Sequence, residues 1–228
     1  MDVRVTKDGS RTLLSRRYGE TYHSQYGALT EARHVFLTGS GVARRLAEGK
    51  PTTVLEVGFG AGLNALLTIA EAARWNTPLR FVSLESELLP VDALRALDYR
   101  SLLPGPELAD AMLAWLERLP AGMRAHATEL GGARLELLLV DAQDAALPAA
   151  VHAVYHDAFS PDASPELWDE AFLGRLFHAL APGGTLVSYT VKGVVRRRLA
   201  ALGFLVTKAP GPPGGKREML VARRPVTP

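Results

Sequence analysis

The chain has 228 residues, enough for one large domain or a domain with a small accessory lobe. Its 47% hydrophobic and 22% charged content fits a packed core and excludes a disordered chain. The absence of cysteine excludes disulfide scaffolds, thiolate metal sites and cysteine nucleophiles, and no apolar run approaches the ~18 residues of a membrane span.

The N-terminus carries charges where a secretory leader would be apolar, so a cytoplasmic protein without membrane contact is expected. The net charge of +2 conceals an uneven distribution. Residues 1–50 hold nine Lys/Arg against five Asp/Glu, residues 51–187 eight against eighteen, and residues 188–228 nine against one. Basic flanks around an acidic centre suggest ends that meet a polyanion. Arg outnumbers Lys by 21 to 5, which suits phosphate recognition by guanidinium forks but also fits a simple compositional bias.

In chain order, Val3 and Val5 alternate with polar residues, Asp8-Gly9 supplies a turn, and Leu13-Leu14 follow, predicting a β-hairpin. A polar loop from Tyr18 to Gly27 leads to Thr30, an expected N-cap for a helix over 31–37, with a second helix ending near Glu48. Residues 1–50 are thus expected to form a hairpin and helical extension, and 51–228 the main domain.

From Pro51 onward strands and helices alternate. Strands are predicted over 52–57, 79–84, 135–140, 151–156, 185–190, 204–207 and 218–222. Between them lie a helix after the glycine loop, one opened by Pro106, one opened by Ser164-Pro165 as cap and first residue, and a basic helix over 194–202. The last two strands are too close for a helical crossover, so they should be antiparallel. This is an α/β chain with a seven-stranded, mostly parallel, Rossmann-like sheet, similar to the class I methyltransferases.

The sharpest local signal is Leu55-Glu56-Val57-Gly58-Phe59-Gly60-Ala61-Gly62-Leu63-Asn64, between a strand and a helix. Gly58, Gly60 and Gly62 let backbone approach a ligand beside a helix N-terminus. The spacing is G-x-G-x-G, not the G-x-G-x-x-G of dinucleotide binders. Glu56 would repel a pyrophosphate but attract an ammonium, which favours S-adenosylmethionine. Glu85 ends the second strand, where a carboxylate accepts from ribose hydroxyls, with Glu87 as its nearby competitor. Asp141, followed by Ala142, ends the third strand, placed either for the adenine amino group or as a cap. Asp157 leaves the fourth strand beside the glycine loop, where it could orient a nucleophilic amine and accept its proton. His152 and His156 read as fillers.

Five motifs in order carry a resemblance. They are Tyr22-His23-Ser24 with Gly27 to Phe36, the LEVGFGAGLN loop, DAFSP with PELW, Pro182-Gly183-Gly184-Thr185-Leu186, and Gly211 to Leu220. Together the chain resembles the methyltransferase domain of the bacterial tRNA enzymes that complete 5-methylaminomethyl-2-thiouridine at the wobble position. The resemblance implies a transfer of methyl from S-adenosylmethionine to the primary amine of an aminomethyl group. Tyr22, His23, Glu31, Phe159, Ser160, Pro161 and Tyr189 are the candidates for the substrate pocket, with Lys192 a further one, and no metal is expected. The best-known member carries a flavin-dependent oxidase domain as well; with Pro228 as the last residue, no flavin is expected in this chain and a standalone methyltransferase is. For tRNA contact, Lys192, Arg196 and Arg197 on the late helix and Lys216-Arg217 in the Gly/Pro loop are the expected groups, with Tyr22, Tyr26 or Phe159 stacking on a splayed base. A small-molecule amine transferase of the polyamine-synthase type, or a non-catalytic RNA-binding module, are the rival readings.

Overall fold

The computed structural model describes residues 2–226. The N-terminal hairpin pairs β1 (Val3–Val5) with β2 (Arg11–Leu13) antiparallel. Then come α1 (Ala28–Glu31), which runs on as a π-helix over Ala32–Thr38, and α2 (Val42–Ala47). The expected cap at Thr30 is not there: Gly27 occupies the N-cap position. Thr30 lies inside the first turn, where its backbone N–H and hydroxyl both donate to Asp8 Oδ2, at 2.9 and 2.8 Å. A carboxylate from the hairpin turn thus does the capping across 22 residues of sequence.

The main sheet is built from β3 (Thr52–Val57), β4 (Leu79–Glu85), β5 (Ala125–Leu130), β6 (Ala133–Leu139), β7 (Val151–His156), β8 (Leu180–Ser188), β9 (Leu205–Pro210) and β10 (Glu218–Arg223). Its order is β5-β6-β4-β3-β7-β8-β10-β9, with the five strands from β6 to β8 parallel and both ends antiparallel. The sheet therefore has eight strands, not seven. The additional one, β5, is an edge strand folded back on β6 through Gly131-Gly132, both at positive φ. The expected antiparallel finish is present as β9 against β10.

Helices α3 (Leu63–Trp75), α4 (Val91–Arg95) and α5 (Pro106–Glu117) follow β3 and β4, and α6 (Glu170–Ala179) and α7 (Gly193–Ala201) follow β7 and β8. The helix expected from Ser164-Pro165 is split. Pro165–Trp168 forms a 3₁₀ turn, and α6 starts afresh at Asp169, whose carboxylate accepts from Phe172 N–H at 2.7 Å. Strand alternation sends Val54 to one face and Leu55 and Val57 to the other, making two cores. One is shared by β2, α1, α2, α3 and α5, so the N-terminal segment packs into the main body; the other lies under α6 and α7. No helix among the described residues is long and apolar enough to cross a membrane.

Candidate active site

Strands β3 and β7 are neighbours in the sheet, but the chain leaves β3 toward β4 on one side and reaches β7 on the other. A crevice opens beyond the carboxyl ends of such strands. The glycine loop follows β3 and Asp157 follows β7. The two exits are bonded to each other, Asp157 N–H donating to Val57 O at 3.0 Å. Gly58 sits at φ +93°, and a Cβ there would stand 2.8 Å from the Asp157 carbonyl oxygen, so only glycine lets the exits close this tightly. Helix α3 begins directly after Gly62 with no side-chain cap, leaving first-turn N–H groups at the loop. The crevice widens into a cavity of about 790 Å³, within the size range of sites that enclose small ligands.

On one side the wall is made by Gly58, Gly60, Glu85, Asp141 and Ala142. Glu85 Oε2 accepts from Gly60 N–H at 2.9 Å, and Oε1 from the N–H groups of Ser86 and Glu87 at 2.8 and 3.0 Å. It braces the glycine loop while facing the cavity; burial raises its pKa and these N–H donors oppose the rise. Asp141 Oδ1 accepts from Gln143 N–H at 2.9 Å in a tight turn, and no helix follows. Glu87 is exposed and faces Arg17.

Three expected residues stand behind this wall. Gly62 packs on Met112 and Phe59. Glu56 is 0% exposed, its Oε2 accepting from Ser83 Oγ at 2.6 Å and its Oε1 without a partner. Burial pushes its carboxyl up to about 8. Asn64 is also buried, and its Nδ2 donates to Asp157 Oδ2 at 2.8 Å while its Oδ1 is unpartnered. The remaining wall still suits S-adenosylmethionine: a glycine cradle that side chains would fill, uncapped N–H groups for a carboxylate, and Glu85 for vicinal hydroxyls.

The other side of the cavity brings together Tyr22, His23, Glu31, Asp157, Phe159, Ser160 and Tyr189, whereas Pro161 is not on the wall. Asp157 is raised well above the usual carboxylate range, by burial first and then by Glu31 and Glu56. Glu31 is raised by burial, with its Oε1 accepting from Ser24 N–H at 3.1 Å. Burial depresses His23 to about 4, so it is neutral near pH 7. The Tyr189 hydroxyl donates to Ala158 O at 3.0 Å.

Sequence reasoning missed the segment that roofs this half. Tyr18 stacks on Phe159 with centroids 4.1 Å apart, Tyr22 meets the same ring edge-on at 5.2 Å, and Glu20 accepts from both the N–H and the hydroxyl of Ser160. Arg4, Arg16 and Arg17 also reach the cavity wall. Of the groups expected to meet RNA, Lys192 is paired with Asp162 at 2.5 Å and Arg196 Nε donates to Val191 O at 3.2 Å. Arg197 and Arg217 are exposed. Lys216 lines the cavity with its Nζ 4.4 Å from the Tyr189 ring centre. Tyr26 is exposed, under Lys7, and does not line the cavity.

Residues 106–225 match the model of a family described as S-adenosyl-L-methionine-dependent methyltransferases. The chain belongs to that family. Its cofactor is S-adenosyl-L-methionine, as the glycine cradle and Glu85 suggest. The chain is 38% identical over 224 residues to the tRNA 5-methylaminomethyl-2-thiouridine biosynthesis bifunctional protein MnmC of Aromatoleum aromaticum, covering 96% of this chain and 34% of that protein. The protein of the same name from Paraburkholderia xenovorans is 38% identical over 222 residues, covering 93% and 33%. This methyltransferase chain thus spans about a third of the length of these relatives. The crystal structure of MnmC2 from Aquifex aeolicus superposes with a TM-score of 0.80 at 33% identity, covering 100% of this chain and 72% of that one. Spermidine synthase from Thermotoga maritima, at 14% identity and a TM-score of 0.56, covering 100% and 73%, shares the fold.

Proposed function

We propose that this methyltransferase acts on the primary amine of 5-aminomethyl-2-thiouridine at the wobble position of tRNA. The relatives' names point to that pathway, and one observation in the site carries the reading. Asp157, held by Asn64, faces a pocket shared with Glu31 and Tyr189, directly beside the glycine cradle. That is a place for a cation next to a methyl donor.

When bound, the cofactor supplies an electrophilic methyl group. The Gly58–Gly60 backbone and Glu85 would hold it, with Asp141 and Ala142 beside its base. The chain's own residues must then make the amine nucleophilic. An alkylamine is mostly protonated at neutral pH, and an ordinary carboxylate would only stabilise the ammonium. Asp157 is not ordinary: burial first, and then the neighbouring carboxyls, hold its proton affinity well above the usual carboxylate range. A carboxylate of raised proton affinity lowers the cost of moving the proton from nitrogen to Oδ1 or Oδ2. Asn64 fixes the acceptor by its bond to Oδ2, and Tyr22, Phe159 and Tyr189 line the pocket around it. Alignment in this pocket supplies much of the remaining acceleration.

Incubating the protein and cofactor with tRNA carrying the aminomethyl group, then analysing nucleosides by mass spectrometry, tests the reading. The expected product is a wobble nucleoside heavier by one methyl. Parallel incubation with polyamines gives no product; methylated or alkylated polyamine with unchanged tRNA would sink the proposal in favour of a small-molecule transferase.

A further inference from the structure

The cavity is acidic inside and basic at its lip. Glu20, Glu31, Glu85 and Asp157 lie on its wall, while Arg4, Arg16, Arg17 and Lys216 reach it from the surface. The arginines come from the N-terminal segment, and the cofactor and amine chemistry leaves them unused. Arg16 and Arg17 sit in a tight turn closed by Ser15 N–H to Glu20 O at 2.9 Å and Gly19 N–H to Ser15 O at 3.0 Å. That turn is anchored to the strand exits by Tyr18 on Phe159 and Glu20 on Ser160. Neither Arg4 nor Arg16 has a hydrogen-bond or ion-pair partner among the described residues, and Arg17 has a loose surface pair with Glu87 at 3.6 Å and lies over the Tyr18 ring, 5.2 Å from its centre. Cations at a cavity mouth that are unpaired, or paired only loosely at the surface, are available to an outside anion.

Their placement fits one kind of anion. Glu87, which Arg17 faces, lies just past β4, and Tyr189, under Lys216, just past β8. In the sheet these exits flank the β3/β7 crevice, three strand spacings apart, or roughly 14 Å. A flexible polyanion could touch both lips while one of its units enters between them. Single-stranded RNA with a splayed nucleotide has that form. The late basic helix is a poorer candidate, because Lys192 is tied to Asp162, Arg196 to Val191 and Arg198 to Trp168 O at 2.8 Å.

We infer that the N-terminal hairpin and the turn after it form the phosphate-binding surface for RNA, with Arg4, Arg16 and Arg17 on backbone phosphates beside the nucleotide that enters the cavity. This rests on the tRNA reading above. The test measures binding of unmodified tRNA to the full chain by fluorescence anisotropy across a salt series. It compares the parent, the triple variant Arg4→Ala/Arg16→Ala/Arg17→Ala, and Arg196→Ala/Arg197→Ala. Three lost single-strand phosphate contacts should flatten the log–log salt slope by about 2, equivalent to roughly 100-fold weaker binding at 0.1 M salt if affinities converge at 1 M. Calorimetry should show parental affinity of the triple variant for S-adenosylmethionine, showing that its site is folded. A triple variant with the parent's slope overturns this surface alone. A slope that drops only in the Arg196/Arg197 variant moves the surface to the late helix and likewise overturns it. A parent without salt-dependent tRNA binding overturns the tRNA reading as well.

Discussion

Glu56 offers a test of how the site handles charge, because the carboxyl is wholly enclosed and lacks a cationic partner among the described residues. Its proton affinity rises from the ordinary 4.5 to about 8 in the fold. The folded chain therefore holds a proton there that the unfolded chain releases above pH 4.5. The stability linked to this group is fully present below that pH and is lost progressively as pH rises through about 8. At pH 7 the gap spans roughly 2.5 pH units at about 1.4 kcal/mol each, or ~3 kcal/mol. Glu56→Gln retains the volume and the acceptor for Ser83 Oγ but needs no protonation. It should melt higher than the parent at pH 7 by roughly 6–12 °C, at 2–4 °C per kcal/mol for a chain of this size. By pH 5 the gap should shrink to about 1 kcal/mol or less. Melting curves of both proteins from pH 5 to 9 read this directly. A Gln variant less stable than the parent at pH 7, or a gap independent of pH, would refute the neutral, buried acid.

Three further outcomes are expected. Glu85→Ala removes the brace on Gly60 together with the carboxylate facing the cavity, and calorimetry should show S-adenosylmethionine binding weakened by ~1–3 kcal/mol; unchanged affinity rejects its place in the cofactor site. Asp157→Asn should lower turnover ~10²–10⁴-fold with little loss of cofactor affinity, and Asn64→Ala, which removes the donor to Asp157, should lower it ~10–100-fold by the same readout. Parental turnover in Asp157→Asn at saturating tRNA would leave the proton-acceptor assignment untenable. Gly58→Ala forces a side chain into left-handed backbone against the Asp157 carbonyl, so thermal melting should drop by the equivalent of ~1–3 kcal/mol, and a parental melting temperature would show that the exits can move apart.

Most of the sheet was legible because its strands are buried on both faces and read as short apolar runs between turn signals, as in Val54-Leu55 and Val151 to Tyr155. The eighth strand was not. In β5 only His126 and Leu130 are buried, so its pattern is mostly polar and gives little period-two signal. The signal that could have found it is Gly131-Gly132, a two-residue hairpin turn between Leu130 and Ala133, which pair across it. The helix starts failed for a different reason. Thr30 has the chemistry of a cap, but Asp8 arrives from the hairpin and supplies the acceptor first, an arrangement no local window contains.

The same division runs through the site. Residues whose place on the cavity wall follows from chain order, at the ends of parallel strands, were readable one by one: Gly58 and Gly60 after β3, Glu85 at the end of β4, Asp141 after β6, Asp157 after β7. Residues whose place depends on a segment crossing over from elsewhere were not, and Tyr18, Glu20, Arg16 and Arg17 are the examples. Nothing in the spacing says that Tyr18 and Glu20 lie over the exit of β7, more than 130 residues away, or that Arg17 faces Glu87 past β4. Glu56 shows a subtler limit. Its position just before the glycines suggested an anion waiting for the cofactor's ammonium. Strand alternation, however, turns that side chain to the buried face it shares with Val54, where Ser83 of the adjacent β4 stands opposite it in register. An ionised carboxylate there would have only the neutral donors of Ser83 and Asn64 against full desolvation. If it is neutral, Asp157 has one fewer anion beside it. The charge that meets the substrate cation can then sit on the carboxylate that faces the cavity. The pH dependence of the Glu56→Gln melting temperature therefore bears on catalysis as much as on stability.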